Sequence, residues 1–505
     1  MRTDPEDWQD ARMSSDADST QPLDQSMTPY ADAVRRYGEA DYVRLHVPGH
    51  GADPEGHRKL MDWFGEDIIR RDIPPLIDGI DQGPSPTPIQ QSARLAAEAW
   101  GAEKTWLLTN GSSKGNLVTC LALTNLGYDI VCQRSMHSSV MDGMVLGGLT
   151  GRWVQPQVDA RLGAAHGVVP EDLAAALDAN PDAIAAYVVT PSYFGAVADV
   201  AAMAEVAHSR GKPLVVDEAW GAHFGFHPDL PTNALRLGAD VVISSVHKLG
   251  GSLTQSGMLH LGKGAWSETL LPLLNRSFRS MQSTSANALL MTSLDLVRSD
   301  LATGAARIDR SLDAAERLRA GVRAGGRFEE PSERFLSSPD VIAIDPLRVV
   351  IDTRAGGITG HEARSILFHD HQVHFEMATD SALVAVIGAG AAPDVDRILE
   401  GLHALPDRGL TGPAEIQLPE PGPQRVLMRD AYFADAELVP WQQAVGRVSV
   451  DSLAAYPPGI PNVLPGEELT TEVVEFLRAT ANSPFGHVRG AAVPGLEMFR
   501  VGERL

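Results

Sequence analysis

A lysine follows a buried-strand pattern in Val241-Val242-Ile243-Ser244-Ser245-Val246-His247-Lys248-Leu249-Gly250-Gly251, and a carboxylate ends another in Val215-Val216-Asp217-Glu218-Ala219-Trp220. Singly, a lysine just past an apolar strand is usually a solvated loop residue, and an Asp at a strand end is often a helix cap. As a pair they can do imine chemistry: the amine condenses with a cofactor aldehyde, and the carboxylate keeps a pyridine nitrogen protonated so that the ring accepts electrons. Lys248 and Asp217 are the candidates for these roles.

Two elements upstream ask for the same ligand. The strand pattern Thr105–Thr109 runs through Asn110-Gly111-Ser112-Ser113-Lys114-Gly115-Asn116 into an apolar helix beginning at Leu117. A Gly/Ser-rich turn feeding a helix N-terminus offers free N–H groups and hydroxyls to an anion. Alone it is an ordinary capped turn, and it lacks the Gly-Lys-Ser/Thr ending of a nucleotide P-loop, so ATP is the poorer ligand. His137, in Arg134-Ser135-Met136-His137-Ser138-Ser139-Val140, follows the strand Asp129–Cys132, where an imidazole can lie flat against a planar ring. Pyridoxal phosphate carries the aldehyde, phosphate and planar pyridine that these four elements require.

Their order and spacing resemble the Orn/Lys/Arg decarboxylase branch of the fold-type I pyridoxal phosphate enzymes, over roughly residues 28 to 500. Further stretches carry the resemblance: Leu45-His46-Val47-Pro48-Gly49-His50, and the Pro-rich Tyr456-Pro457-Pro458-Gly459-Ile460-Pro461 with Pro465-Gly466-Glu467. The resemblance implies an α/β fold of the aspartate aminotransferase type, with a mainly parallel seven-stranded sheet, a small α+β lobe and a C-terminal decarboxylase domain. It implies that Gly111, Ser112 and Ser113 hold the cofactor phosphate, with Ser245 and His247 beside it. His137 would stack on the ring, Asp217 would pair with its nitrogen, Ala219 and Trp220 would pack around it, and Lys248 would form the imine. Ser192, in Thr190-Pro191-Ser192-Tyr193-Phe194-Gly195, falls near the cofactor's phenolic oxygen. Ser283 and Thr284, in Met281-Gln282-Ser283-Thr284-Ser285, would reach the phosphate of a neighbouring subunit, so the working unit is a homodimer or higher homo-oligomer with shared sites. Glu467 is expected to bind the substrate's distal cation, and His50 is a second substrate-side candidate. The cup departs from the family in carrying Lys114 where small residues are usual.

Composition agrees less specifically. The 505 residues are 44% apolar, ample for a packed core and about three domains of ordinary size. Only two cysteines occur, Cys120 and Cys132, outside any Cys-x-x-Cys arrangement, which argues against a disulfide scaffold and a zinc site; no metal is expected. A net charge of -23 disfavours nucleic acid and anionic membranes and suits a small cationic amino-acid substrate. The Asp/Ser-rich start lacks the pattern of a secretory signal, and no apolar run spans a bilayer, which fits the cytoplasm. The expected organisation is an acidic tail over residues 1–28, an N-terminal segment over 29–87, the cofactor domain over 88–292, the small domain over 293–415 and a C-terminal domain over 424–505.

The chemistry expected is decarboxylation of a basic L-amino acid, arginine first, then lysine or ornithine, giving agmatine, cadaverine or putrescine for polyamine biosynthesis. The bond of the substrate Cα that stands perpendicular to the imine plane is the one that breaks, so geometry selects carboxylate loss over proton loss, and Lys248 or His247 reprotonates Cα. Two alternatives stay open: an aminotransferase or oxidative deaminase, and a catalytically silent partner subunit.

Overall fold

Seven apolar stretches pair into one sheet: β1 (Lys104–Leu108), β2 (Asp129–Gln133), β3 (Thr150–Val154), β4 (Ala186–Val189), β5 (Leu214–Asp217), β6 (Val241–Ser244) and β7 (Gly257–Leu261), in the spatial order β1-β7-β6-β5-β4-β2-β3. Only β7 runs antiparallel to its neighbours. Successive side chains point to opposite faces: Leu107, Val131, Val188, Val216 and Val242 join one core cluster, while Leu108, Cys132, Tyr187, Val215 and Ile243 join another. Because both faces are dry, the strands read as continuous apolar runs and not as alternating ones. Helices Pro88–Trp100, Val200–His208 and Ala288–Thr303 contribute to the first cluster, and Gly111–Leu123, Ser138–Gly147 and Ser267–Met281 to the second. Both cysteines are buried free thiols in the second layer.

This computed structural model describes residues 23–410, 417–456, 459–483 and 486–503, so nearly all of the expected acidic tail lies outside the described residues. Among those residues no helix is long and apolar enough to cross a membrane.

Past the sheet, helix Ala305–Gly325 leads to a lobe in which Arg348–Asp352, Ala382–Val386 and Met377–Ala378 form a three-stranded antiparallel sheet. The apolar run Val341–Ile344 is strand only at Ala343–Ile344, where it pairs with Ala196–Val197. Asp345-Pro346 then ends it, since proline supplies no ladder N–H. The C-terminal part builds a second small sheet from Leu453–Tyr456, Pro461–Val463 and His487–Arg489, backed by helix Thr471–Ala481.

A buried ion pair fastens that C-terminal unit to the main sheet. Arg134, directly after β2, donates Nη1 and Nη2 to the two carboxylate oxygens of Glu467 at 2.7 Å each, and its Nε to the Pro461 carbonyl at 2.9 Å. Glu467 Oε2 also accepts the Leu464 N–H at 2.9 Å, and both side chains are almost wholly buried. Glu467 is therefore not the substrate-side carboxylate expected from its Pro-Gly-Glu setting. A carboxylate taken this far from water needs full hydrogen bonding, and Arg134 supplies it in bidentate form. Removing one partner leaves the other charge stranded, so Glu467→Ala should cost about 3–5 kcal/mol of stability. The loss should be read as early urea unfolding with fast hydrogen exchange at 453–463, and Arg134→Met/Glu467→Met should recover much of it.

Candidate active site

Strands β2, β4, β5 and β6 are parallel and in near register, Val189 lying opposite Asp217 and Asp217 opposite Ile243, so their C-terminal ends form one edge. The loops leaving that edge surround a cleft of 1230 Å³. Lys248, His247, Asp217 and His137 all line it, as do Gly111, Ser112, Ser113, Ser192, Ala219, Trp220 and Ser245. Residues separated by more than a hundred positions thus converge as the sequence pattern requires.

Each is held by a nameable contact. Gly111 sits at φ +74°, a left-handed backbone that only glycine adopts without cost, and its N–H donates to the Gln255 carbonyl at 2.7 Å. That turn opens helix Gly111–Leu123 beside Ser112, whose Oγ lies 2.5 Å from Ser245 Oγ. A Cβ on Gly257 would come within 2.8 Å of the Ser244 carbonyl and 3.2 Å of the Ser112 N–H, so the cup floor tolerates no side chain there. Two hydroxyls, first-turn N–H groups and a bare floor fit a phosphate. Ser192 Oγ accepts the N–H groups of Phe194 and Ala196 at 3.2 Å, which leaves its own hydrogen to donate.

Asp217, 2% exposed, accepts the Asn116 amide at 2.9 Å and the Ala219 N–H at 3.1 Å, so both oxygens are set as acceptors. Such a carboxylate fits a protonated pyridine nitrogen. His247 Nδ1 lies 2.8 Å from the Ser256 carbonyl, an acceptor only, so that nitrogen carries the proton and Nε2 is the basic one. The Lys248 amine lies 3.7 Å from the Trp220 ring centroid. Burial lowers its pKa to about 8, with Asp217 opposing the drop and Arg348 adding to it. The donor set, cup and amine together fit pyridoxal phosphate.

Four expected residues stand outside this cleft. Glu467 is locked to Arg134. His50 bonds Asp72 at 3.3 Å and the Ala52 N–H at 3.0 Å, in the N-terminal segment. Ser283 and Thr284 lie in the turn between helices Ser267–Met281 and Ala288–Thr303, with Ser283 Oγ 3.1 Å from Ser285 Oγ. Lys114 is buried with no hydrogen-bond partner for its amine among the described residues, and burial lowers its pKa to about 8.

Conversely, the cleft contains groups that sequence reasoning missed. Glu376, an exposed carboxylate on its wall, accepts the Tyr193 hydroxyl at 2.9 Å. It precedes a two-residue strand in the small lobe, and no motif flags it. Tyr456, His487 and Arg489 come from the C-terminal unit, Arg489 donating to Ser138 Oγ at 2.5 Å. Asn116, quoted only as the end of the cup, carries the bond to Asp217; a polar residue at the head of an apolar helix was the available signal.

Comparison with known proteins agrees with this geometry. The family model described as Orn/Lys/Arg decarboxylase, major domain, matches residues 28–367, and that for the C-terminal domain matches 423–497. An arginine decarboxylase of Bacillus subtilis is 32% identical over 95% of this chain and 98% of its own. One from Halalkalibacterium halodurans is 32% identical over 90% and 93%. The crystal structure of the Francisella novicida lysine decarboxylase LdcF superposes with a TM-score of 0.78 at 17% identity, covering 94% of this chain and 81% of that one, which establishes the fold. With family models matching the whole of the main sheet and most of the C-terminal unit, the chain belongs to the Orn/Lys/Arg decarboxylase family.

Proposed function

We propose that this chain decarboxylates a basic L-amino acid with pyridoxal phosphate, taking arginine ahead of lysine or ornithine and releasing CO2 with agmatine, cadaverine or putrescine. The observation that carries the reading is the meeting of a depressed-pKa lysine, a buried acceptor carboxylate and a Ser/Gly cup in one cleft, in a chain 32% identical to an arginine decarboxylase. Bound pyridoxal phosphate supplies an aldehyde carbon and an electron-accepting ring. Ser112, Ser113 and Ser245 would hold its phosphate with the N–H groups opening helix Gly111–Leu123, with His247 beside them. Asp217 would take the ring nitrogen, Ala219 and Trp220 would close around the ring, and His137 would stack on it. Ser192 would donate near the phenolic oxygen. Lys248 is the amine that would hold the aldehyde. Trp220 presents an apolar wall that favours loss of a carboxylate as neutral CO2. Lys248 or His247 then returns a proton to Cα.

For the far end of the substrate we assign Glu376, whose carboxylate is held by Tyr193 and faces the cleft. A guanidinium can take such a carboxylate in bidentate form, whereas an ammonium is a compact point charge. The working unit is a homodimer or larger, supported by Ser283 and Thr284 lying away from their own cleft and by an apolar N-terminal surface on which Leu45 is 93% and Trp63 is 83% exposed. Two buried free thiols suit a reducing cytoplasm, where the amine product would feed polyamine synthesis.

Lys248→Ala should abolish turnover with a native circular dichroism spectrum, because it removes the reactive amine and few core contacts. Only the unprotonated amine attacks an aldehyde. Capture of pyridoxal phosphate by cofactor-free protein, followed by absorbance, should therefore rise through pH about 8 and level off above it, well below the ordinary lysine range. Glu376→Gln should raise KM for arginine by roughly 10- to 100-fold, as expected for a charge-assisted hydrogen bond of about 1.5–3 kcal/mol, with a smaller change in kcat. The deciding experiment is a mass-spectrometric assay against arginine, lysine and ornithine separately. One amine appearing with stoichiometric CO2 supports decarboxylation, and keto acid or ammonia without CO2 overturns it.

A further inference from the structure

A buried polar chain joins two groups of the cleft that have no direct contact. Tyr187, projecting from β4, donates its hydroxyl to Asn116 Oδ1 at 2.7 Å. The Asn116 amide nitrogen donates one hydrogen to Asp217 Oδ2 and the other to Ser139 Oγ, both at 2.9 Å. Ser139 Oγ lies 2.8 Å from His137 Nδ1. Asn116, Tyr187, Ser139 and Asp217 are each at most 4% exposed, so no solvent competes for these bonds.

The directions along this chain are forced. The Asn116 amide cannot be flipped, because its oxygen would then face the Asp217 carboxylate, acceptor against acceptor. Its nitrogen therefore points at both Asp217 and Ser139. At the other end, His137 caps helix Ser138–Gly147, with Nδ1 accepting the Ser139 backbone N–H at 3.2 Å. A backbone N–H cannot turn round, so Nδ1 must present its lone pair. Ser139 Oγ, which receives a hydrogen from Asn116, sends its own to the same Nδ1.

We propose that Asn116 is a positioning residue that sets the protonation of His137, holding the imidazole neutral with its proton on Nε2 while keeping Asp217 an acceptor. A protonated imidazole would need a hydrogen on Nδ1, where two donors already point. The charged groups around the ring are Asp217 and Asp142, which favour its protonation, and Lys248 and Arg489, which oppose it along with burial. The consequence follows from the reading of the cleft as a pyridoxal phosphate site, on which this part rests. A protonated pyridine is electron-poor, so a cationic imidazole stacked on it would be repelled, whereas a neutral one stacks and keeps Nε2–H as a donor. One asparagine thus fixes both groups expected to touch the ring: Asp217 as an acceptor, and His137 as a neutral imidazole with its proton on Nε2.

The test is nuclear magnetic resonance of the full-length protein labelled with 15N at its histidine rings, with His137 assigned by loss of its signals in His137→Asn. In the cofactor-free wild type, Nδ1 should give a lone-pair signal and Nε2 a protonated one, and both should persist at pH values where an ordinary imidazole is already protonated. In Asn116→Ala both tautomers should be present, and the His137 titration midpoint should rise by about one pH unit, a tenfold change in protonation. Ser139→Ala, which breaks the chain but keeps the backbone N–H, should move it the same way by less. A wild-type proton on Nδ1, or a titration unchanged in both variants, overturns the proposal. If Asn116→Ala fails to fold, the wild-type tautomer and Ser139→Ala still decide. The loaded protein adds a separate readout: the cofactor absorbance of Asn116→Ala should change between pH 5 and 8 where that of the wild type does not. Absence of any cofactor band in the wild type would defeat the reading of the cleft and leave the tautomer result standing.

Discussion

A carboxylate cannot be carried to the dry end of a sheet without partners, and the arrangement of this site follows from that constraint at Asp217. Burying an ionised group costs several kcal/mol unless hydrogen bonds replace its water. One bond comes from the chain's own turn, the Ala219 N–H, and the other must be delivered by a different element. Helix Gly111–Leu123 delivers it through Asn116, and it does so only by lying very close to the sheet. Gly115, one residue earlier, is the point of closest approach: a Cβ there would sit 2.9 Å from an Ile243 methyl and 3.1 Å from Leu108. The helix that supplies the second bond is also the one whose first turn forms the cup. Satisfying Asp217 and positioning Ser112 and Ser113 are therefore one packing event.

Much of this was legible because it is local. Lys248 and Asp217 each end a run of buried β-branched residues, and a run of that kind has little alternative to a central strand whose polar terminus falls at an edge. The cup is equally local, since Gly111 in a left-handed turn and two serines at a helix start are read from a handful of adjacent residues.

The misjudged residues are those whose role depends on a distant partner. Glu467 looked like a free loop carboxylate because nothing near it in sequence is basic; its partner Arg134 stands 333 residues away. The Pro-rich segment does line the cleft, through Tyr456, Gly459 and Pro461, while the Glu467 side chain is turned away to Arg134. Glu376 failed in the opposite sense. It lies in an irregular stretch of the small lobe, and only the folding of that lobe against Tyr193 brings it to the cleft. The overall charge of -23 could not help, because it does not say which carboxylates face inward.

Trp220 ties the electrostatics of the amine to the small lobe. The Lys248 amine lies 3.7 Å from its ring, and the guanidinium carbon of Arg348, a wholly buried side chain, lies 4.1 Å from the same centroid. Two cations so near one another would be costly in a dry setting, and the negative faces of an indole offset part of that cost. Arg348 belongs to the strand Arg348–Asp352 and is fixed there by the Tyr193 carbonyl at 2.5 Å. Its charge helps burial to depress the Lys248 pKa, and Asp217, at the end of β5, resists. The value near 8 thus reflects burial first, then Asp217 from the sheet and Glu376 from the lobe set against Arg348 from the lobe. A change in how the lobe seats against the sheet would shift that balance, so the lobe tunes the Lys248 amine as well as walling the cleft.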